Sequence, residues 1–293
     1  MSGKKAALLW STFHSIADTI EEKVLLKFNE AEYLFWVNFM IGIFVCIFSL
    51  FASIEISLIS FLVLIVYAFA MVGGDFCYAK AIQTLPIGLA NLIDSGSLFL
   101  ILLCDIFLGY IEPKLIFLIL FAIFFVAIYV FSYETNKMKS EIKNKRIDLK
   151  NIFILITSTI FYASEPYFLK LATSKGANEY GINLIFYLVA IPMYFFLFVH
   201  EKKKEDIPKL KKKEKKTFFG NILLLGIIYA ITSILSTIAY ASGTPIIITL
   251  IMKIQLFLVV IISVIRKTDK MNWKKIVSLL VGVICIVWMT LIS

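Results

Sequence analysis

The chain has only two histidines, His14 and His200, and only four cysteines, Cys46, Cys77, Cys104 and Cys285. The cysteines are scattered through apolar stretches without C-x-x-C spacing. They imply neither a disulfide framework nor a thiolate metal site and read as small packing residues. Two isolated histidines cannot make a zinc ligand set, so no metal and no other cofactor is expected. The chain also lacks the dense acidic motifs or His/Asp/Ser cluster that an integral-membrane enzyme acting on lipid-like substrates needs. No small-residue cleavage site follows Lys4 and Lys5. The first apolar run therefore reads as a retained helix rather than a signal peptide.

What is present is apolar surface. Apolar residues make up 60% of the 293, and mean hydropathy is +0.92. Ordinary globular chains hold about 45–50% apolar residues, so the composition describes an integral membrane protein crossing the bilayer many times. A helix needs about 20 apolar residues to cross. Ten spans are expected, at 5–25, 33–53, 57–80, 85–109, 114–133, 150–173, 180–199, 217–241, 245–266 and 273–292. The second, fifth and tenth are nearly all apolar, as helices facing lipid should be. Much of the net charge of +9 sits in two linkers, 134–149 and 200–216. Basic runs flanked by spans are topology determinants or lipid-surface contacts, and they read here as solvated connectors, with no nucleic-acid partner implied.

Ionisable residues inside the spans carry the functional signal, because a charge at bilayer depth is costly. Asp94 follows Pro86 by eight residues and Lys253 follows Pro245 by eight, and both pairs are offset by 159. At an offset of 147, Ser11-Thr12 meets Ser158-Thr159, Asp18 meets Glu165 and Lys23 meets Lys170. The first linker splits the spans five plus five, and an odd number per half makes the halves inverted in the membrane. The expected architecture is all-α: ten transmembrane helices as two inverted five-helix repeats, 1–140 and 141–293, around a central cavity.

At these residues the chain resembles the drug/metabolite transporter superfamily, in its ten-helix type with two EamA-like halves. The most specific segment, Leu85-Pro86-Ile87-Gly88-Leu89-Ala90-Asn91-Leu92-Ile93-Asp94-Ser95-Gly96, is similar to the P-x-G-x-A-x-x-x-x-S-G stretch of the small multidrug resistance branch. The end of the first span, Leu25-Leu26-Lys27-Phe28-Asn29-Glu30, also resembles that branch. Its hallmark, a carboxylate midway along the first helix that carries protons and binds cations, corresponds within one residue to Asp18. The Leu-Gly-Glu ending common in the superfamily is absent: Tyr110 follows Leu108-Gly109, and the second copy reads Arg266-Lys267-Thr268-Asp269. The resemblance implies a bacterial cytoplasmic membrane transporter, a monomer or weak homodimer, with cytoplasmic termini. Loop charge instead puts the termini outside, and a terminal reporter fusion separates the two.

Helical spacing sorts the polar residues into faces. Trp10, His14, Asp18 and Glu21 share a stripe on the first span. Asp75 and Tyr78 pair on the third, Asn91, Asp94 and Ser95 on the fourth, and Tyr162 and Glu165 on the sixth, before Pro166. Tyr229, Thr232, Ser233, Ser236 and Tyr240 line the eighth, and Thr249 and Lys253 the ninth. Such faces cannot point cheaply at lipid, so spans one, three, four, six, eight and nine are expected to line the cavity, with two, five, seven and ten peripheral. Glu21 and Glu22 read as interfacial and Asp105 as structural. Asp94 and Lys253 either pair or leave Lys253 to bind a substrate carboxylate. Asp18 and Glu165 either pair with Lys23 and Lys170 or exchange protons, as intramembrane carboxylates do in transporters. Aromatic rings beside carboxylates suit an organic cation. The expected function is a proton-coupled secondary transporter of a small cationic or zwitterionic metabolite or drug, working by alternating access. Its partners are that small molecule, protons and the bilayer. A lipid-directed membrane enzyme and an ion channel are the alternatives.

Overall fold

In hydrocarbon every backbone N–H and C=O must be satisfied within the protein, and apolar runs of about 20 residues achieve that as helices. The computed structural model describes residues 1–25, 30–84, 93, 95–139, 149–202, 212–266 and 272–292. Among these it contains helices and no strand. The helices are α1 Gly3–Leu25, α2 Glu30–Ser49, α3 Leu58–Thr84, α4 Ser97–Phe107, α5 Leu115–Lys139, α6 Leu149–Ser174, α7 Glu179–Lys202, α8 Lys212–Ser242, α9 Pro245–Met252, α10 Ile254–Ile265 and α11 Trp273–Ile292. Among the described residues, eight stretches are long and apolar enough to cross a membrane, the span Pro245–Ile262 of α9 and α10 counting as one. α1 is not among them, because His14, Asp18 and Glu21 interrupt its apolar face, and the described α4 is too short.

One expectation about boundaries changes. The ninth span runs as one apolar stretch, Pro245–Ile262, with a single irregular turn at Lys253, whose φ of −66° and ψ of −8° stay helical. The linker 134–149 begins inside a helix: α5 runs on to Lys139, and Glu134 is buried rather than solvated. Its carboxylate accepts a hydrogen bond from Asn272 Nδ2 at 2.7 Å and lies 3.4 Å from Lys274 Nζ. Asn272 in turn caps α11, taking the Lys275 N–H on Oδ1 at 2.8 Å. The acid is consumed in joining α5 to the start of α11.

The chain forms two compact units, each drawn from both ends of the sequence. The first holds residues Met1–Val72 and Pro166–Ser242, the second Gly73–Glu165 and Gly243–Ser293. In the first, α8 packs along α1 and α2, and α2 packs on α7. Val24, Tyr33, Val37, Ile41, Phe218, Ile222 and Leu225 fill its core. Gly226 lets the α8 backbone approach α2: a Cβ there would lie 2.7 Å from Met40 Cβ and 3.2 Å from the Met40 carbonyl carbon. Asn178 caps α7 through the Gly181 N–H and ties it to the loop after α2 by donating to the Ser53 carbonyl. In the second unit α5 packs on α11 and α4 on α9. Asp105, fully buried near the end of α4, accepts the Ile246 N–H at 2.8 Å. Pro245 has no N–H to satisfy, so this carboxylate takes the first free donor of α9 and complements its dipole. Asp105 is therefore structural, as its position in the sequence implied.

The close approach at Gly226 predicts a contrast within one helix. Gly226→Ala should destabilise by about 1–3 kcal/mol, since backbone rather than a side-chain tip must yield. Gly220→Ala, which meets nothing within 4 Å, should stabilise by about 0.5–1 kcal/mol through lost unfolded-state entropy. Thermal unfolding of the two variants in detergent checks both signs.

Candidate functional site

The stripe on α1 survives folding as one cluster. The ring of His14 stacks on Trp10 with centroids 4.2 Å apart and planes at 17°. It lies 5.1 Å from the Tyr229 ring of α8, tilted by 57°. Its Nε2 is 3.5 Å from Asp18 Oδ1, one turn further on, and both side chains are about a quarter exposed, at 25% and 26%. The Tyr229 hydroxyl donates to Glu21 Oε2. Tyr33 of α2, 2% exposed, brings a second phenol against Glu21 and Tyr229. Two carboxylates, one imidazole and three other aromatic rings thus share one face of α1.

The cluster continues as a seam along α8. Tyr229, Ser233 and Thr237 recur every four residues and so share a face. Ser233 Oγ is 2.9 Å from the Tyr187 hydroxyl, and Thr237 Oγ1 accepts from Asn183 Nδ2 at 3.0 Å. Thr232 and Ser236 instead donate to backbone carbonyls of their own helix, at Tyr229 and Ser233. α2 and α7 were expected at the periphery, yet they supply Tyr33, Tyr187 and Asn183. Tyr33 at the start of the second span, and Asn183 and Tyr187 four residues apart on the seventh, were the available signal. Glu21, expected at the interface, is part of the same cluster.

The second unit holds a smaller site. Gly73 and Gly74 on α3 let Phe161 and Tyr162 of α6 come close, with a Gly74 Cβ position only 3.3 Å from the Tyr162 ring. Ser158 Oγ donates to the Gly74 carbonyl at 2.8 Å. The next residue, Asp75, accepts the Tyr162 hydroxyl at 2.7 Å, and Tyr78 meets the Tyr162 ring edge-on at 6.2 Å. Asp75, Tyr78 and Tyr162 therefore come together. Glu165 is half-buried one turn beyond Tyr162, just before Pro166. Thr249 is buried and its hydroxyl donates to the Pro245 carbonyl at 2.8 Å, so it serves α9 internally. Lys253 is half-buried at the turn between α9 and α10. Asn91, Asp94 and Pro86 lie outside the described residues. Among the described residues, no group of three or more His, Cys, Asp or Glu side chains is placed to hold a metal ion.

Among the described residues, eight apolar spans mark an integral membrane protein, and two phenol–carboxylate pairs join its helices. Residues 149–291 match the EamA-like transporter family, as a member of the drug/metabolite transporter superfamily would. Over that segment, just under half of its length, the chain is similar to a family of membrane transporters. No curated protein matches it in sequence. Several solved structures are similar in fold; one, a crystal structure, has a TM-score of 0.72 at 14% identity over 99% of this chain and 96% of that one.

Both phenol–carboxylate contacts predict measurable coupling. Double-mutant cycles with Tyr229→Phe and Glu21→Gln, and with Tyr162→Phe and Asp75→Asn, should each show about 1.5–3 kcal/mol of interaction in unfolding free energy. Additivity in either cycle would mean that the pair does not hold its helices together.

Proposed function

We propose that the chain is a secondary active transporter that exchanges protons for a small cationic or zwitterionic metabolite or drug by alternating access. Its ten helices would form two inverted five-helix repeats in a bacterial cytoplasmic membrane. The observation that carries this reading is the α1 cluster. A cation there would meet aromatic faces from Trp10 and Tyr229 and negative charge from Asp18 and Glu21. Ring faces attract cations by up to about 2 kcal/mol when desolvated, and a carboxylate in a medium of low dielectric adds more. Asp18 and Glu165, matched across the repeat, exchange the coupled protons. The Asp75–Tyr162–Tyr78 group offers the same chemistry in the second unit, and Ser233 and Thr249 are polar groups on the lining helices. Lys253 holds Asp94 or a substrate carboxylate, which is how a zwitterion fits. Dispersed acids speak against an enzyme on lipid-like substrates. Inverted repetition within one chain favours a carrier over a channel.

The first test is a thermal-shift screen of purified protein against amines, quaternary ammonium compounds, amino acids and nucleosides; a ligand at about 100 times its Kd should stabilise by about 2.7 kcal/mol. A hit should then show trans-stimulated counterflow in proteoliposomes, which a channel does not show. Asp18→Asn combined with Glu165→Gln should abolish the pH dependence of uptake. A double variant with full pH dependence would remove the coupling assignment.

A further inference from the structure

The imidazole of His14 already makes the contacts that the proposed substrate would make. It lies on the face of Trp10 at 4.2 Å, against the Tyr229 ring at 5.1 Å, and its Nε2 is 3.5 Å from Asp18 Oδ1. An aromatic box closed by a carboxylate is how proteins hold organic cations. Here the occupant is a side chain that becomes a cation by taking up one proton. Histidine is also the side chain whose ordinary titration falls between about pH 5 and 8.

Resting on the cation-transport reading above, we infer that protonated His14 is a built-in competitor of the substrate: it occupies the aromatic–carboxylate box when charged and yields it when neutral. The proton exchanged at the Asp18 site is then carried by the imidazole. The incoming cation takes over the ring faces and the Asp18 charge, His14 loses its proton to water, and the net charge of the site is unchanged. The exposure of a quarter of both His14 and Asp18 gives that proton a way out. Among the described residues, the groups facing His14 include Asp18 and Glu21 on its own helix, Tyr229 on α8 and, through Glu21, Tyr33 on α2. Asp18 leaves the box negative when His14 is neutral, which is the state that admits a cation. A simpler carboxylate mechanism would give the same direction of pH dependence, so only the identity of the titrating group separates the two.

The chain has only two histidines, which makes the separation practical. Full-length protein carrying ring-labelled histidine is placed in nanodiscs and titrated by NMR from about pH 5 to 8.5, the interval spanning histidine titration. His200, exposed at the end of α7, is the internal control, assigned with His200→Gln. The probe is benzyltrimethylammonium, a permanent cation with no exchangeable proton. A saturating amount should lower the His14 midpoint by at least about one pH unit and leave His200 in place. By reciprocity, probe affinity measured by calorimetry should then fall about tenfold per pH unit below the free midpoint. His14→Gln should flatten that pH dependence, and His14→Arg, a permanent cation in the box, should abolish probe binding at every pH. A probe that binds without moving the His14 midpoint overturns the inference and leaves the cation-transport reading standing. Retained pH dependence in His14→Gln overturns it too, by handing the proton to a carboxylate. No probe binding to the wild type across the whole range overturns the cation reading, and this inference with it.

Discussion

The hydrogen bond from Tyr229 to Glu21 joins α8 to α1. In hydrocarbon an unpaired polar group costs several kcal/mol, so a carboxylate within a span must find a donor in the protein. That requirement organises the first unit. Along α8, Tyr229, Ser233 and Thr237 meet Glu21, Tyr187 and Asn183. Three contacts at four-residue spacing set the register of α8 against α1 and α7, which apolar packing alone leaves free to slide. Gly226 complements them by letting α8 approach α2.

Burial of a polar group has two different outcomes in this chain. Asp105, Ser158 and Thr249 each satisfy a backbone group, at Ile246, Gly74 and Pro245. Glu134 is held by Asn272 and Lys274. These interactions are spent on helix ends, helix backbone and helix–helix contacts. His14 and Asp18 differ: they are ionisable, partly exposed and surrounded by ring faces. A group that is paired yet reachable is the one a solute can displace, which is why the functional reading settles on α1.

Much of this was legible in the chain. Helices appear at the expected places because apolar runs of bilayer length have no alternative to helix in lipid. The stripe of Trp10, His14, Asp18 and Glu21 was visible from the 3.6-residue period, and the structure keeps it on one face. The Asp75–Tyr162 pair was visible only as two separate polar faces; joining them took the close contact at Gly73–Gly74. Tyr33, Tyr187 and Asn183 were not visible as site residues: Tyr33 stands alone at the start of its span, and the Asn183–Tyr187 spacing falls in a span whose apolar composition reads as peripheral. Glu134 looked like part of a charged linker because its neighbours in sequence are charged, whereas its neighbours in space are Asn272 and Lys274.

Sequence alone determined that the chain is a helical membrane protein, where most of its helices lie, and which face of α1 carries charge. Hydropathy and helical period are local properties, and they can be read a window at a time. Only the tertiary structure decided that Glu21 takes the Tyr229 proton donor, that Asp105 closes the start of α9, and that His14 sits between Trp10, Tyr229 and Asp18. Those pairings join residues up to 208 positions apart. They are chosen by packing and by the cost of leaving a buried donor or acceptor unmatched, and no window of sequence contains both partners.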